Sequence, residues 1–173
     1  MVQTLTCKTL YVLACIAHGR RELVHLAVTA HPTGARVWRE LVEATPWGRR
    51  PKHLLRDRDS VYGGDFRARA TALGIETILT PVRAPRANAI AERVIGTLRQ
   101  ECLDHVPVLN ERHLAAVLQE YVAYYNTDRP HRSLGLEPPL PGAPPLRSSN
   151  GPPARIVARP VLGGLHRVYQ RAA

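Results

Sequence analysis

The chain has 173 residues and a formal net charge of +10, with 24 Lys and Arg residues against 14 Asp and Glu residues. That length allows one domain with a hydrophobic core, and three cysteines without CxxC spacing exclude a disulfide framework and a cysteine zinc site. No apolar run reaches the ~20 residues of a membrane span. Because Lys8 and Lys52 are the only lysines, arginine carries the charge, which indicates a polyanionic partner or, alternatively, a solvated surface encoded by a G+C-rich genome.

The predicted elements begin with a hairpin and a helix. Residues 9–16 and 23–29 are apolar and rich in β-branched side chains, and the turn-like stretch HGRR separates them. Thr33 is expected to cap a helix that ends near Pro46 and Gly48. The apolar residues that share one face of this helix are Val37, Leu41 and Ala44.

A strand, a helix and a second strand come next. Residues 54–57 predict a short buried strand with Asp57 at its end. Residues 66–73 predict a helix, and Gly74 stands where a glycine commonly ends one. Residues 75–79 predict the strand that follows.

Two helices complete the predicted core. Asn88 is expected to cap a helix that runs to about Asp104, and Asn110 is expected to cap another. The second helix is amphipathic, and its apolar residues follow the i, i+3, i+4, i+7, i+8, i+11 pattern. These residues are Leu114, Val117, Leu118, Tyr121, Val122 and Tyr125. The order ββαβαβαα implies a layered α/β domain.

The composition changes after Asn126. The stretch EPPLPGAPPLRSSNGPP is rich in proline and shows no periodicity, and a short basic segment follows it. We therefore expect a folded core over residues 1–139, followed by a proline-rich linker and a basic tail over residues 140–173.

Two acidic residues stand where a pair of carboxylates can meet. Asp57 ends one predicted strand, and Glu92 lies on the helix that follows the next strand. That helix can bring Glu92 near the end of the first strand. Carboxylate oxygens hold Mg²⁺, and two such ions about 3.5–4 Å apart support in-line phosphoryl transfer. The alternative is that Asp57 caps a turn and Glu92 pairs with a surface arginine.

Three blocks of sequence carry a resemblance to a known family. RDRDSVYGGDF, GIETILTPVRAPRANAIAERVIGTLRQECLDH and YVAYYNTDRPHRSLGLEPP resemble the catalytic core of insertion-sequence transposases and retroviral-type integrases, in that family's order and spacing. The resemblance implies a ribonuclease-H-like fold, a mixed sheet with flanking helices. It also implies an Asp, Asp, Glu set that binds Mg²⁺ or Mn²⁺, with the second Asp at Asp57 and the Glu at Glu92. Asp59 is interpreted as a turn residue and His131 as structural.

The first acid of that set has no counterpart in this chain. In the family it lies shortly ahead of a stretch like QTLTCKTLYVL, which here begins at Gln3, and no Asp precedes Asp57. Glu22, Glu40 and Glu43 are the earlier acids, and none is placed to substitute. We therefore expect the core to be incomplete at its N-terminus, without its first catalytic strand.

The resemblance also implies partners and a reaction. It implies metal-dependent cleavage and transfer of DNA strands at insertion-sequence ends, by a homo-oligomer on double-stranded DNA in the bacterial cytoplasm, associated with the nucleoid and not with a membrane. The residues expected to contact the DNA are Arg83, Arg86, Asn88, Arg93 and Arg99. The arginines are otherwise surface charges, and Asn88 is otherwise a helix cap.

Two other functions stay open. The chain is alternatively a catalytically dead remnant that binds DNA or full-length transposase. A stand-alone ribonuclease-H-like nuclease is disfavoured, since it too needs the first carboxylate.

Overall fold

The computed structural model describes residues 1–46, 50–81, 88–142 and 155–171. Its strands are β1 (Val2–Gln3), β2 (Thr9–Ala17), β3 (Glu22–Thr29), β4 (His53–Arg56), β5 (Glu76–Leu79), β6 (Ile156–Val161) and β7 (His166–Arg171). Its helices are α1 (Gly34–Ala44), α2 (Phe66–Ala72), α3 (Ala89–Leu98) and α4 (Glu111–Thr127). Every element predicted between residues 9 and 127 is present, which confirms a mixed α/β domain. No helix among the described residues is long and apolar enough to cross a membrane.

The strands of the core form two separate sheets. β1, β2 and β3 are antiparallel, and β1 pairs only with the start of β2, where Val2 faces Leu10. β4 and β5 are parallel, and Arg56 faces Leu79 at their last pair. Because both parallel strands run the same way, the residues that follow them emerge at one edge of this sheet.

The ends of the helices follow the predicted chemistry at most positions. The Thr33 hydroxyl accepts a hydrogen bond from the Arg36 amide at 3.2 Å, and the Asn110 side chain accepts one from the His113 amide at 2.9 Å. Gly74 has a φ of 76°, the left-handed conformation that ends α2. These three predictions are confirmed.

The main core lies between α4 and the β2–β3 hairpin. Four of the six predicted core positions of α4 are buried, and Val117 and Val122 pack against the same cluster from partly buried positions. The other buried members of this cluster are Leu10, Leu23, Val28, Val94, Leu98, Cys102 and Val108. The period of α4 therefore predicted the face on which the domain is built.

A buried amide joins α4 to the hairpin. The Asn126 side chain accepts a hydrogen bond from the Leu23 amide at 3.0 Å and donates one to the Leu23 carbonyl at 2.9 Å. Asn126 is only 6% exposed, so water cannot replace these bonds.

Three strands were not predicted from the sequence. β1 is a strand of two residues ahead of the hairpin, and β6 and β7 form an antiparallel hairpin within the segment expected to be a linker and tail. Val161 at the end of β6 is 1% exposed, so this second hairpin is packed against the core.

Replacing Asn126 tests the join between α4 and β3. We expect Asn126→Ala to lower the free energy of unfolding by about 2–3 kcal/mol, since it leaves the Leu23 amide and carbonyl buried without partners. The matched control is Asn110→Ala, which removes an exposed helix cap and should cost about 1 kcal/mol. Denaturant unfolding measures both, and equal losses would contradict this role of Asn126.

Candidate active site

Asp57 is the first residue after β4, at the edge where both parallel strands end. It is exposed, and its Oδ1 accepts a hydrogen bond from the Asp59 amide at 3.3 Å. The Asp59 side chain accepts one from the Val61 amide at 2.9 Å and caps the short turn Ser60–Tyr62. Asp59 is therefore the turn residue that the sequence predicted, and the Asp57 carboxylate faces solvent.

Arginine and aromatic side chains fix the backbone around Asp57. The Arg56 guanidinium lies over the Tyr62 ring at 4.5 Å and the Phe66 ring at 5.2 Å, and its Nη1 donates to the Asp57 carbonyl at 3.0 Å. Arg58 Nε donates to the Thr80 carbonyl at 3.2 Å, across the ends of the two strands. Sequence reasoning had not singled out these residues, whose role depends on tertiary contacts.

An open groove of about 420 Å³ lies beside this turn. Its lining includes Arg56, Arg58, Asp59, Tyr62 and Leu79. Burial, and then the negative charge of Asp57, raise the pKa of Tyr62 to about 12, so this phenol stays protonated at neutral pH. The groove combines two cationic side chains with the end of the parallel sheet, which suits a phosphate group.

Glu92 lies in the first turn of α3 and is exposed. Asn88 is at the N-cap position, as predicted, but its side chain makes no capping hydrogen bond, so the expectation that it caps the helix is wrong. Arg93 is exposed beside Glu92. The predicted DNA contacts Arg83 and Arg86 lie outside the described residues.

Arg99 stands at the junction of α3 with a π-helical turn, Arg99–Leu103. The helix predicted to run to about Asp104 therefore has the expected length but widens in its last turn. Arg99 Nη2 donates to the Met1 carbonyl at 3.1 Å, so this side chain holds the start of β1 against α3. Its contact with DNA stays a prediction.

Asp57 and Glu92 share no hydrogen bond within the described part of the chain. The group there whose ligand atoms lie within 4.8 Å of one another, as a metal site requires, is His25, Glu40 and Glu43. Glu40 is 4% exposed and contacts His25 Nε2 at 2.8 Å and Arg36 Nε at 2.6 Å. Burial acts to raise the pKa of Glu40, but the His25 hydrogen bond and the Arg36 charge lower it overall. The guanidinium already neutralises this carboxylate, which makes the group an ion-pair network.

A second polar network surrounds Glu101, on the π-helical turn. Glu101 accepts hydrogen bonds from Arg129 at 2.5 and 2.6 Å and from the Tyr121 hydroxyl at 3.1 Å. Partial burial acts to raise the pKa of Glu101, but the hydrogen bonds and charge of Arg129 lower it overall. No sequence pattern identified Glu101, because the π-helical turn that orients it was not predictable.

His131 is structural, as the sequence predicted. It is 6% exposed, its Nε2 lies 3.1 Å from the Tyr125 carbonyl, and its Nδ1 lies 3.3 Å from Arg129 Nη1. These partners require a neutral ring that donates from Nε2 and accepts at Nδ1. Burial lowers the pKa of His131 below its usual value.

Comparison with known proteins points to one family. A family model described as an integrase core domain matches residues 73–139. A 39.2 kDa protein of insertion element IS476 from Xanthomonas euvesicatoria is 34% identical over 124 residues, which are 69% of this chain and 35% of that protein. The transposase InsD of insertion element IS2 from Escherichia coli is 33% identical over 90 residues, 51% of this chain and 30% of that protein. The chain thus spans about a third of the length of these two relatives.

A solved structure shows the same fold. It is a chain in the simian T-cell lymphotropic virus intasome in complex with PP2A regulatory subunit B56 gamma, with a TM-score of 0.56 and 17% identity. The match covers 92% of this chain and 60% of that one. The mixed α/β fold expected from the sequence is therefore confirmed, although the core strands form two sheets and not the one mixed sheet that the resemblance implied.

The pKa of His131 makes stability depend on pH. The folded chain keeps this ring neutral at pH values below its usual pKa of 6.5. As the pH is lowered, the unfolded chain therefore takes up a proton at a higher pH than the folded chain does. The free energy of unfolding should then fall as the pH drops through 6.5. We expect His131→Gln to make this fall shallower, with the exposed His18→Gln as the matched control. Denaturant unfolding at about pH 7.5 and about pH 5.5 measures the difference. An identical fall in all three proteins would contradict the assignment.

Proposed function

Since this chain carries an integrase core of the insertion-sequence transposase type, we propose that it takes part in metal-dependent cleavage and transfer of DNA strands. The observation that supports this most is the parallel pairing of β4 with β5, which brings Asp57 and Thr80, the residues that directly follow these strands, to one edge of a sheet. Glu92, in the first turn of α3, is proposed to lie on the same side of the domain as Asp57.

Asp57 and Glu92 are proposed as ligands of Mg²⁺ or Mn²⁺. Both are exposed, and neither makes an ion pair in the part of the chain that the structure describes. Hard divalent cations prefer such oxygen donors, whereas Glu40 in the alternative group is already paired with Arg36. When bound, the metal activates the attacking oxygen and stabilises the leaving oxygen of the phosphodiester.

A third carboxylate is proposed at the edge of β2. β1 covers only Thr9 and Leu10 of this strand, and the described residues leave its edge from Tyr11 to Ala17 unpaired on that side. A strand that continued β1 backwards could pair with this edge. The Arg99 bond to Met1 holds this edge against α3, and Glu92 is seven helical residues from Arg99, roughly 10 Å.

The cationic side chains are proposed to hold the DNA backbone. Arg93 is exposed next to Glu92. Arg99 follows Glu92 by seven residues, about two helical turns, and so lies on the same face. Arg58 lines the groove beside Asp57. Contacts of arginine with phosphates position DNA without reading its sequence. Arg83, Arg86 and Asn88 are proposed to extend this surface, and the active form is proposed to be a homo-oligomer on DNA at the nucleoid.

A second candidate function is binding without catalysis. It is favoured by one observation: among the described residues, no group of three acidic, histidine or cysteine side chains close enough to hold a metal ion includes Asp57 or Glu92. In that case the chain binds DNA or full-length transposase and joins no strands.

An oligonucleotide joining assay separates the two functions. We expect the 173-residue chain to join DNA weakly or not at all in Mg²⁺ or Mn²⁺, since two acids cannot template both metal ions. Adding an N-terminal strand that carries an Asp should raise joining by orders of magnitude, and Glu92→Gln in that protein should abolish it. The matched control carries Asn in place of the added Asp. Equal joining with and without the added Asp would overturn the proposal of a third carboxylate.

DNA binding should be indifferent to sequence and sensitive to salt. The net charge of +10 and the exposed Arg93 and Arg99 imply that the chain binds DNA by neutralising its phosphates, with release of counterions. Titration of two fluorescent duplexes of unrelated sequence at low and high salt measures this. An affinity that salt leaves unchanged would contradict electrostatic binding.

A further inference from the structure

The β6–β7 hairpin uses one of its faces to pack on the core. Val161 is buried, and the His166 ring stacks on Tyr124 with centroids 4.7 Å apart and planes 13° from parallel. His166 Nε2 also donates to the Glu101 carbonyl at 2.7 Å. These contacts fix one face of the hairpin against α4 and the π-helical turn.

Two polar contacts hold the hairpin in the same place. The Leu162 amide, in the turn, donates to Glu120 on α4 at 2.6 Å. Arg159 Nη2 pairs with Asp128, which follows α4, at 2.9 Å. The hairpin is thus a fixed part of the domain at its turn.

The opposite face of the hairpin is exposed. Because side chains alternate along a strand, residues at every second position share this face. The register pairs Pro160 with Arg167, Ala158 with Tyr169 and Ile156 with Arg171. All six are exposed, and Tyr169 is 68% and Ile156 69% accessible. We call this surface, formed by Ile156, Ala158, Pro160, Arg167, Tyr169 and Arg171, the outer face.

The outer face is cationic and has no acid to balance it. Residues 155–171 contain no Asp or Glu, and Arg167 and Arg171 make no ion pair in the described chain. Arg159, on the other face of the hairpin, is by contrast neutralised by Asp128. The positive charge of Arg167 and Arg171 complements a polyanion, and the planar guanidinium group matches the geometry of a phosphate.

We propose that the outer face docks on duplex DNA, with Arg167 and Arg171 on phosphates. The two arginines are four strand residues apart, about 13 Å, which is close to the ~12 Å width of the major groove that admits a two-stranded ribbon. The deep, narrow major groove of RNA helices does not admit one. The choice of DNA as the polyanion rests on the proposed function, but the docking needs neither Asp57 nor Glu92.

Arginine substitutions on the full chain test this docking. Arg167→Ala with Arg171→Ala should weaken binding to a fluorescent duplex roughly tenfold and lower the salt slope by about two, because two phosphate contacts are lost. The matched control, Arg67→Ala with Arg112→Ala, removes the same charge from exposed sites on α2 and α4 and should change binding far less. The titrations are made in EDTA, which removes divalent cations, so that the result does not depend on the metal site. Circular dichroism checks that both variants fold.

Three other outcomes count against the proposal. An equal loss in the control pair would mean that only net charge matters. Equal or tighter binding of an RNA duplex would exclude the major-groove geometry. A double variant that binds DNA normally but no longer self-associates in sedimentation would make the outer face an interface between copies. If docking is confirmed while no metal site is found, the failure belongs to the proposed catalysis and not to this surface.

Discussion

The side-chain amide of Asn126 is the contact on which the arrangement of the domain depends. It pairs with both backbone groups of Leu23, in a part of the core that water does not reach. An apolar residue would leave two buried polar groups unpaired, and so the amide fixes where α4 crosses β3. The Asn126 carbonyl in turn accepts from the Leu140 amide at 2.7 Å, and Arg20 donates to the Pro139 carbonyl at 2.6 Å, so the chain after α4 is folded back onto the hairpin.

The packing of the helices determines which acidic side chains remain exposed. α3 is held by Val94 and Leu98 in the core, and its last, π-helical turn is held through Glu101 and Arg129. Glu92, in the first turn of α3, is exposed and makes no ion pair among the described residues. On the neighbouring sheet, Arg56 is held between backbone and aromatic rings while the Asp57 carboxylate is exposed. Asp57 and Glu92 are therefore exposed on elements that the core holds in place, as a binding site for a metal ion and a phosphate group requires.

Regular periods and local caps made much of the fold predictable. α4 was identified from its apolar period, and Thr33 and Asn110 from capping, because these signals depend on neighbours in the chain. β1 is too short to show a period. β6 and β7 show no alternation of apolar and polar residues, because their outer face carries apolar as well as basic side chains. Pro160 also argues against a strand, except at the edge of a sheet, where it lies here. At the site, Asp57 and Glu92 came from the family resemblance, whereas Arg56, Tyr62 and Glu101 depend on contacts between distant segments.

The central claim is that Asp57 and Glu92 share one divalent cation. Broadening of NMR signals by Mn²⁺ tests this claim, because it detects weak binding as well as strong. Substoichiometric Mn²⁺ should broaden the amide signals of both residues together, and Asp57→Asn should remove the broadening at Glu92. Asp59→Asn should leave both effects in place, since Asp59 is occupied by its turn. Broadening at Asp57 without Glu92, or broadening centred on His25 and Glu43, would contradict the account.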